Sequence, residues 1–166
     1  MCTDQPYLHF MCGKIASGKS TLAAQLGSQP GTVVISEDDW LEALYPDELQ
    51  SLDDYVRCSS RLVGIMALHL EALLEAGVSV VLDFPANTRG QRRWLRNLVQ
   101  STGVRHTLHF LDVPDDKCLA RLMARNETGQ HPFQVTEAQF RKITGHFSAP
   151  ELDEGFTIRR HGDAVE

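Results

Sequence analysis

Surplus positive charge is missing from this chain. Its 166 residues carry 16 Lys and Arg against 22 Asp and Glu, a net charge of −6. A broad nucleic-acid footprint needs clustered cations, so this balance argues against one and leaves room for a small basic pocket. Long apolar runs are missing too, and none approaches the length of a membrane span. The opening MCTDQPYLHF has no apolar core of a secretory leader. Cys2, Cys12, Cys58 and Cys118 include no C-x-x-C pair and no Cys–His set at zinc spacing. They read as free thiols of a reducing compartment, with Cys12 a candidate for oxidation. Repeats and low-complexity tracts are absent. The expectation is a soluble, cytoplasmic protein of one domain, long enough to bury a core without staples.

What is present is an alternation of strand and helix. Strands are expected at Tyr7–Cys12, Thr32–Ser36, Val78–Phe84, His106–Val113 and Phe156–His161, short apolar or β-branched runs between turn residues. Helices are expected over Lys19–Leu26, stopped by Gly27, and from Ser51 to about Glu75, where apolar residues recur at helical spacing. Further helices are expected over Gln91–Val99, over Asp116–Arg125, and from Thr136 to about Gly145. Such alternation implies an α/β fold: a five-stranded parallel sheet with helices on both faces. Ligands of such sheets bind at the carboxyl ends of the strands, which gathers Gly13, Asp38, Asp83 and Pro114 around one crevice.

The most specific motif lies between the first strand and the first helix. Gly13-Lys14-Ile15-Ala16-Ser17-Gly18-Lys19-Ser20 matches G-x-x-x-x-G-K-[ST] in full. Its glycines let backbone N–H groups converge on phosphate oxygens, and the helix start adds a positive dipole end. Gly13, Lys14, Ala16, Ser17, Gly18, Lys19, Ser20 and Thr21 are the expected nucleotide-binding residues. Lys19 is expected at the β- and γ-phosphates, the Ser20 hydroxyl on Mg²⁺, and Thr21 beside the α-phosphate. The reading is a P-loop for ATP with Mg²⁺, over an ordinary Gly-rich turn.

Two groups of carboxylates follow. Asp83 ends the most apolar strand and is the expected second holder of Mg²⁺. Asp38 and Asp39 follow the second strand, where a carboxylate can take the proton of an acceptor hydroxyl during in-line transfer. Spacing alone does not choose between them, and an acidic helix start is the plain alternative. Arg121 and Arg125 stand four apart on one helix face, followed by a polar stretch through His131 and Pro132. They read as the arginines of a lid over about residues 121–133, placed to neutralise a transferring phosphoryl group and exclude water. The Arg89/Arg92/Arg93/Arg96 group is read as a surface face more than as an anion site. The histidines His9, His69, His106, His109 and His161 have no ligand spacing and read as packing or surface residues.

With these residues in hand, the chain resembles a small P-loop kinase of the AAA_33 type. It is similar to the kinase domain of phage polynucleotide kinase and, more distantly, to zeta toxins, chloramphenicol phosphotransferase and gluconate kinase. The resemblance rests on GKIASGKST, ISEDDW, VVLDFPAN, QRRW, FLDVP and ARLMARN. It implies that Asp38 rather than Asp39 is the base, marks Asp83 and Asn87 at a strand end, and matches Arg121 and Arg125 to lid arginines. Leu41 stands where the phage enzyme has an acceptor-side arginine, and no phosphatase segment accompanies the match. Both departures count against 5′-hydroxyl phosphorylation of nucleic acid. The function expected is transfer of the γ-phosphate of ATP to a hydroxyl of a small molecule. A polynucleotide kinase and a slowly hydrolysing NTP-dependent regulator are the alternatives.

Overall fold

The structure, a computed structural model, describes residues 5–129 and 134–162. Five strands form one sheet: β1 (Tyr7–Gly13), β2 (Thr32–Ser36), β3 (Ser79–Pro85), β4 (Arg105–Leu111) and β5 (Ile158–His161). Their order across the sheet is β2-β3-β1-β4-β5, and every adjacent pair is parallel. The helices are α1 (Lys19–Gly27), α2 (Glu37–Leu44), α3 (Leu52–Glu75), α4 (Arg89–Thr102), α5 (Asp115–Thr128) and α6 (Glu137–Thr144). This is the α/β P-loop NTPase fold.

Alternate strand residues supply two layers of core. Met11, Val81 and Leu111 point to one face, where Leu22, Ala23 and Leu26 of α1 cover them. Phe10, Leu82 and Phe110 point to the other, against Cys58, Leu62, Met66 and Leu70 of α3 and Leu95 and Leu98 of α4. Central parallel strands are buried on both sides, which is why β3 reads as an unbroken apolar run. A third cluster, Val113, Cys118, Leu122 and Phe140, ties α5 and α6 to Ile15 and Ala16 of the phosphate loop.

Several boundaries differ from the sequence expectation for physical reasons. Gly27 lies inside α1 rather than beyond it, and Ser28 caps the helix. A Cβ on Gly27 would sit 2.0 Å from Val34 Cγ2, so the glycine serves the close approach of α1 to β2. The acidic run after β2 is the first turn of α2, a helix not foreseen; Ser36 caps it by accepting from the Asp39 amide at 3.3 Å. Helix α3 begins after Ser51 as expected, and Ser51 accepts from the Asp54 amide. Thr136 and Gln139 close a reciprocal capping box on α6. Cys12 is fully buried and burial pushes its thiol up to about 11, which corrects its reading as an oxidation site.

Candidate functional site

The phosphate loop runs from the end of β1 to the start of α1. Gly18 caps the helix with φ 102°, and Ala16 takes φ 60°, a left-handed conformation unusual for a residue with a Cβ. The loop closes with the Ser17 amide donating to the Lys14 carbonyl at 3.2 Å. A Cβ on Gly13 would come within 2.5 Å of Ser17 Oγ, so glycine is required by the close turn of the loop on itself. Ser17 Oγ is buried with no hydrogen-bond partner, an orphan polar atom at the wall of the loop. The Lys19 ammonium donates to the carbonyls of Gly13 and Lys14, both at 2.8 Å. Ser20 and Thr21 are exposed on the first turn of α1. Lys14 offers the loop its backbone alone. Its ammonium pairs with Asp115, donates to the Val113 carbonyl and lies over the Phe147 ring.

Carboxylates converge on Lys19 from the neighbouring strand ends. Burial lowers the pKa of Lys19, against the fields of Asp83 and Asp38, which favour its charged form. Asp83 owes its position to an irregularity in the sheet. Phe10 pairs with Leu82, yet Met11 pairs with Pro85, so Asp83 and Phe84 leave the β1 ladder. Asp83 stays level with Ser36 of β2. Asp38, on α2, is half-buried, whereas Asp39 is exposed. The geometry therefore separates two carboxylates that spacing did not.

The two arginines expected in a lid part company. Arg125 is half-buried with its Nε unpartnered; desolvation lowers its pKa and Asp38 opposes that shift. Arg121, one turn earlier on α5, is exposed. Helix α5 extends to Thr128, three residues past its expected end at Arg125, and residues 130–133 of the expected lid lie outside the described residues.

Sequence reasoning missed two site-adjacent features. Glu37 is buried, and its carboxylate accepts from Tyr55 Oη at 2.5 Å and Ser59 Oγ at 2.6 Å. Burial raises its pKa against those two hydrogen bonds, and Asp38 and Asp83 add to the rise. The pair of bonds pins α2, and with it Asp38, to α3. Arg92 is the largest fully buried side chain, engaged with Glu154 at 2.7 and 2.9 Å. Arg92 therefore departs from the surface reading of the α4 arginines, while Arg89, Arg93 and Arg96 are exposed as expected. Arg89 is occupied as well, by Glu151 and Asp153. Leu41 is buried, so that position presents nothing to an acceptor. No sequence pattern marks these pairings, since their partners lie 18 to 64 residues away.

Among the described residues there is no group of three or more His, Cys, Asp and Glu that could hold a metal by itself. Mg²⁺ does not require one, because it keeps waters and takes one or two protein oxygens with substrate phosphates. Ser20, on the turn after Lys19, and Asp83, whose field Lys19 feels, are the residues that would offer such oxygens. No helix among the described residues is long and apolar enough to cross a membrane.

Known structures share this architecture at low identity, which speaks to fold alone. A kinase candidate from Chloroflexus aurantiacus superposes with a TM-score of 0.75 at 17% identity, covering 97% of this chain and 87% of that one. The Mycobacterium tuberculosis APS kinase CysC, in complex with AMPPNP and APS, gives 0.63 at 20% identity over 98% and 91%. A chain of the Pnkp1/Rnl/Hen1 RNA repair complex gives 0.62 at 21% identity, over 85% of this chain and 43% of that one. No curated protein sequence matches. The profile of the AAA domain family AAA_33 matches residues 8–150, nearly the whole strand–helix alternation, and the chain belongs to that family.

Proposed function

We propose that this chain is an ATP-dependent phosphotransferase acting on a hydroxyl of a small molecule, its residues forming one P-loop kinase domain. One observation carries the reading: Asp38 of α2 acts both on Lys19 of the loop and on Arg125 of α5. A binding switch needs the loop and its lysine. A carboxylate beside that lysine, itself faced by a guanidinium, is what phosphoryl transfer needs in addition.

The roles follow from the chemistry. Loop amides beyond Gly13, through Thr21, cradle the phosphates, and Lys19 turns from the carbonyls of Gly13 and Lys14 to the β- and γ-phosphates. Mg²⁺, when bound through Ser20 and Asp83, neutralises phosphate charge. Asp38 orients the acceptor hydroxyl and takes its proton as the new O–P bond forms. The bond between the γ-phosphorus and the β–γ bridging oxygen breaks, and ADP leaves. Arg125, joined by Arg121 as the lid closes, stabilises the equatorial oxygens in transit. A small acceptor is favoured over a nucleic acid because Arg89 and Arg92 are tied to acidic partners and Leu41 faces the core.

The test is transfer of labelled γ-phosphate from Mg-ATP into a desalted metabolite extract, an oligonucleotide and water. A labelled small molecule, lost in Asp38→Asn, is the expected outcome. Label in the oligonucleotide would make the chain a polynucleotide kinase. Label in free phosphate alone, equal in both proteins, would make it an NTP-dependent regulator.

A further inference from the structure

We propose that Asn87 is a positioning residue for the phosphate loop, completing the sheet where β3 can no longer do so. The inference rests on nucleotide binding at this loop but not on transfer to any acceptor. Strand β1 must deliver Gly13 in a fixed orientation, because the next residues turn immediately into the loop. Beyond Phe10 the β3 ladder fails: Asp83 and Phe84 bulge out of it, and Pro85, now level with Met11, has no N–H. The chain restores contact in two steps. The Ala86 amide donates to the Met11 carbonyl at 3.2 Å. The Asn87 side-chain oxygen then accepts from the Gly13 amide at 2.8 Å. An amide side chain thus stands in for a strand carbonyl at the last residue of β1.

Asn87 is itself held on both sides. Its N–H donates to Gln91 Oε1 at 2.9 Å, which ties it to the first turn of α4. Its carbonyl accepts from the Ser148 amide at 2.8 Å. Ser148 in turn receives Arg92 at its carbonyl, 2.8 Å, and at its hydroxyl, 3.3 Å. The side chain that touches Gly13 is therefore fixed by a backbone clamped between α4 and the segment leading to β5. A preorganised loop binds phosphate without an ordering cost, so freeing Gly13 acts on affinity for the nucleotide.

Two readouts that need no acceptor test this. In the ligand-free protein, Asn87→Ala is expected to raise hydrogen exchange at the Gly13 amide at least tenfold. Asn87→Asp, which keeps an acceptor oxygen in place, is expected to restore protection. Calorimetric titration with Mg-AMPPNP is expected to show affinity lower by roughly tenfold for Asn87→Ala, about what one lost hydrogen bond gives, with the thermal midpoint of the apo protein lower by only about 2–4 °C. Wild-type affinity in Asn87→Ala would overturn the proposal. So would an affinity loss that tracks a fall in thermal midpoint, with no recovery of Gly13 protection in Asn87→Asp. Lys19→Ala is the control: wild type binding no better than Lys19→Ala would overturn the nucleotide reading itself, and this proposal with it.

Discussion

Replacing Arg92 by methionine is expected to be among the most damaging single changes outside the phosphate loop. The guanidinium is fully buried and reaches six oxygen acceptors. It donates to both oxygens of Glu154 and to the carbonyls of Ala86 at 2.9 Å, Ser148 at 2.8 Å and Ala149 at 3.4 Å, besides the Ser148 hydroxyl. Methionine has similar length and no donor, so the loss is electrostatic rather than a cavity. It strands a carboxylate that is 6% exposed, together with two well-made carbonyl bonds. Removing one partner of a buried pair costs about 3–5 kcal/mol, a large part of a typical total of about 5–15 kcal/mol. With a urea slope near 2 kcal/mol/M, the midpoint is expected to fall by about 2 M. The double variant Arg92→Met, Glu154→Met removes both charges and is expected to recover much of the loss, because neither ion then has to be desolvated. Glu154 gives a second check. Burial opposes its ionisation, yet Arg92 and the Glu151 amide hold its pKa below the ordinary value. That stability is present above the unfolded carboxyl range and is lost as pH falls through the lowered folded value, in wild type but not in the double variant. A midpoint shift under 0.5 M in Arg92→Met, or a double variant as unstable as the single one, would refute this reasoning.

The remaining expectations concern charge and packing. Burial lowers the pKa of His109 to about 3, with His9, His161 and Arg159 adding to the shift. In the unfolded chain it titrates near 6.5, so stability is full above that and drains away as pH falls toward 3; by pH 5 the loss is about 2 kcal/mol. Urea curves at pH 8 and pH 5 for wild type and His109→Gln check this, and equal losses in both proteins would count against it. Arg125→Ala is expected to lower kcat by roughly 10³-fold or more with a small change in Mg-ATP affinity; a proportionate loss of affinity would return Arg125 to a packing role. Gly27→Ala adds a Cβ 2.0 Å from Val34 Cγ2 and is expected to cost about 1–3 kcal/mol by overpacking, read as a lowered thermal midpoint. Thr136→Ala removes a capping box and is expected to cost about 1 kcal/mol.

How far the sequence reveals this protein depends on the range of the interactions involved. The phosphate loop is legible because its chemistry is contiguous: nine residues set the turn, the helix start and the lysine together. The strands are legible because β-branched and apolar runs are local, so their cores fall within a residue or two of the observed bounds, as for Thr32–Ser36. Helix α2 is not, because it spans only eight residues and its acidic start suits a loop equally well. Arg92 misleads for a similar reason. Four basic residues on one short helix suggest a solvated stripe, and the acid that draws Arg92 inside lies 62 positions on.

The histidines show most clearly what spacing alone omits. His9, His109 and His161 are separated by 100 and 52 positions, and no local motif joins them. The sheet order places β1, β4 and β5 side by side, and on that face the three rings form a row: His9 Nδ1 to His109 Nε2 at 3.0 Å, His109 Nδ1 to His161 Nε2 at 2.9 Å. Each neutral imidazole has one N–H and one lone pair, so a single tautomer direction satisfies both bonds without any charge. A central ring carrying a proton at each nitrogen would require both outer rings to accept. Desolvation lowers the pKa of all three. The row is thus a polar ladder across three strands that holds while its rings stay neutral, and it follows from strand order once that order is known. The sequence supplies the residues; parallel crossover connections decide which of them meet.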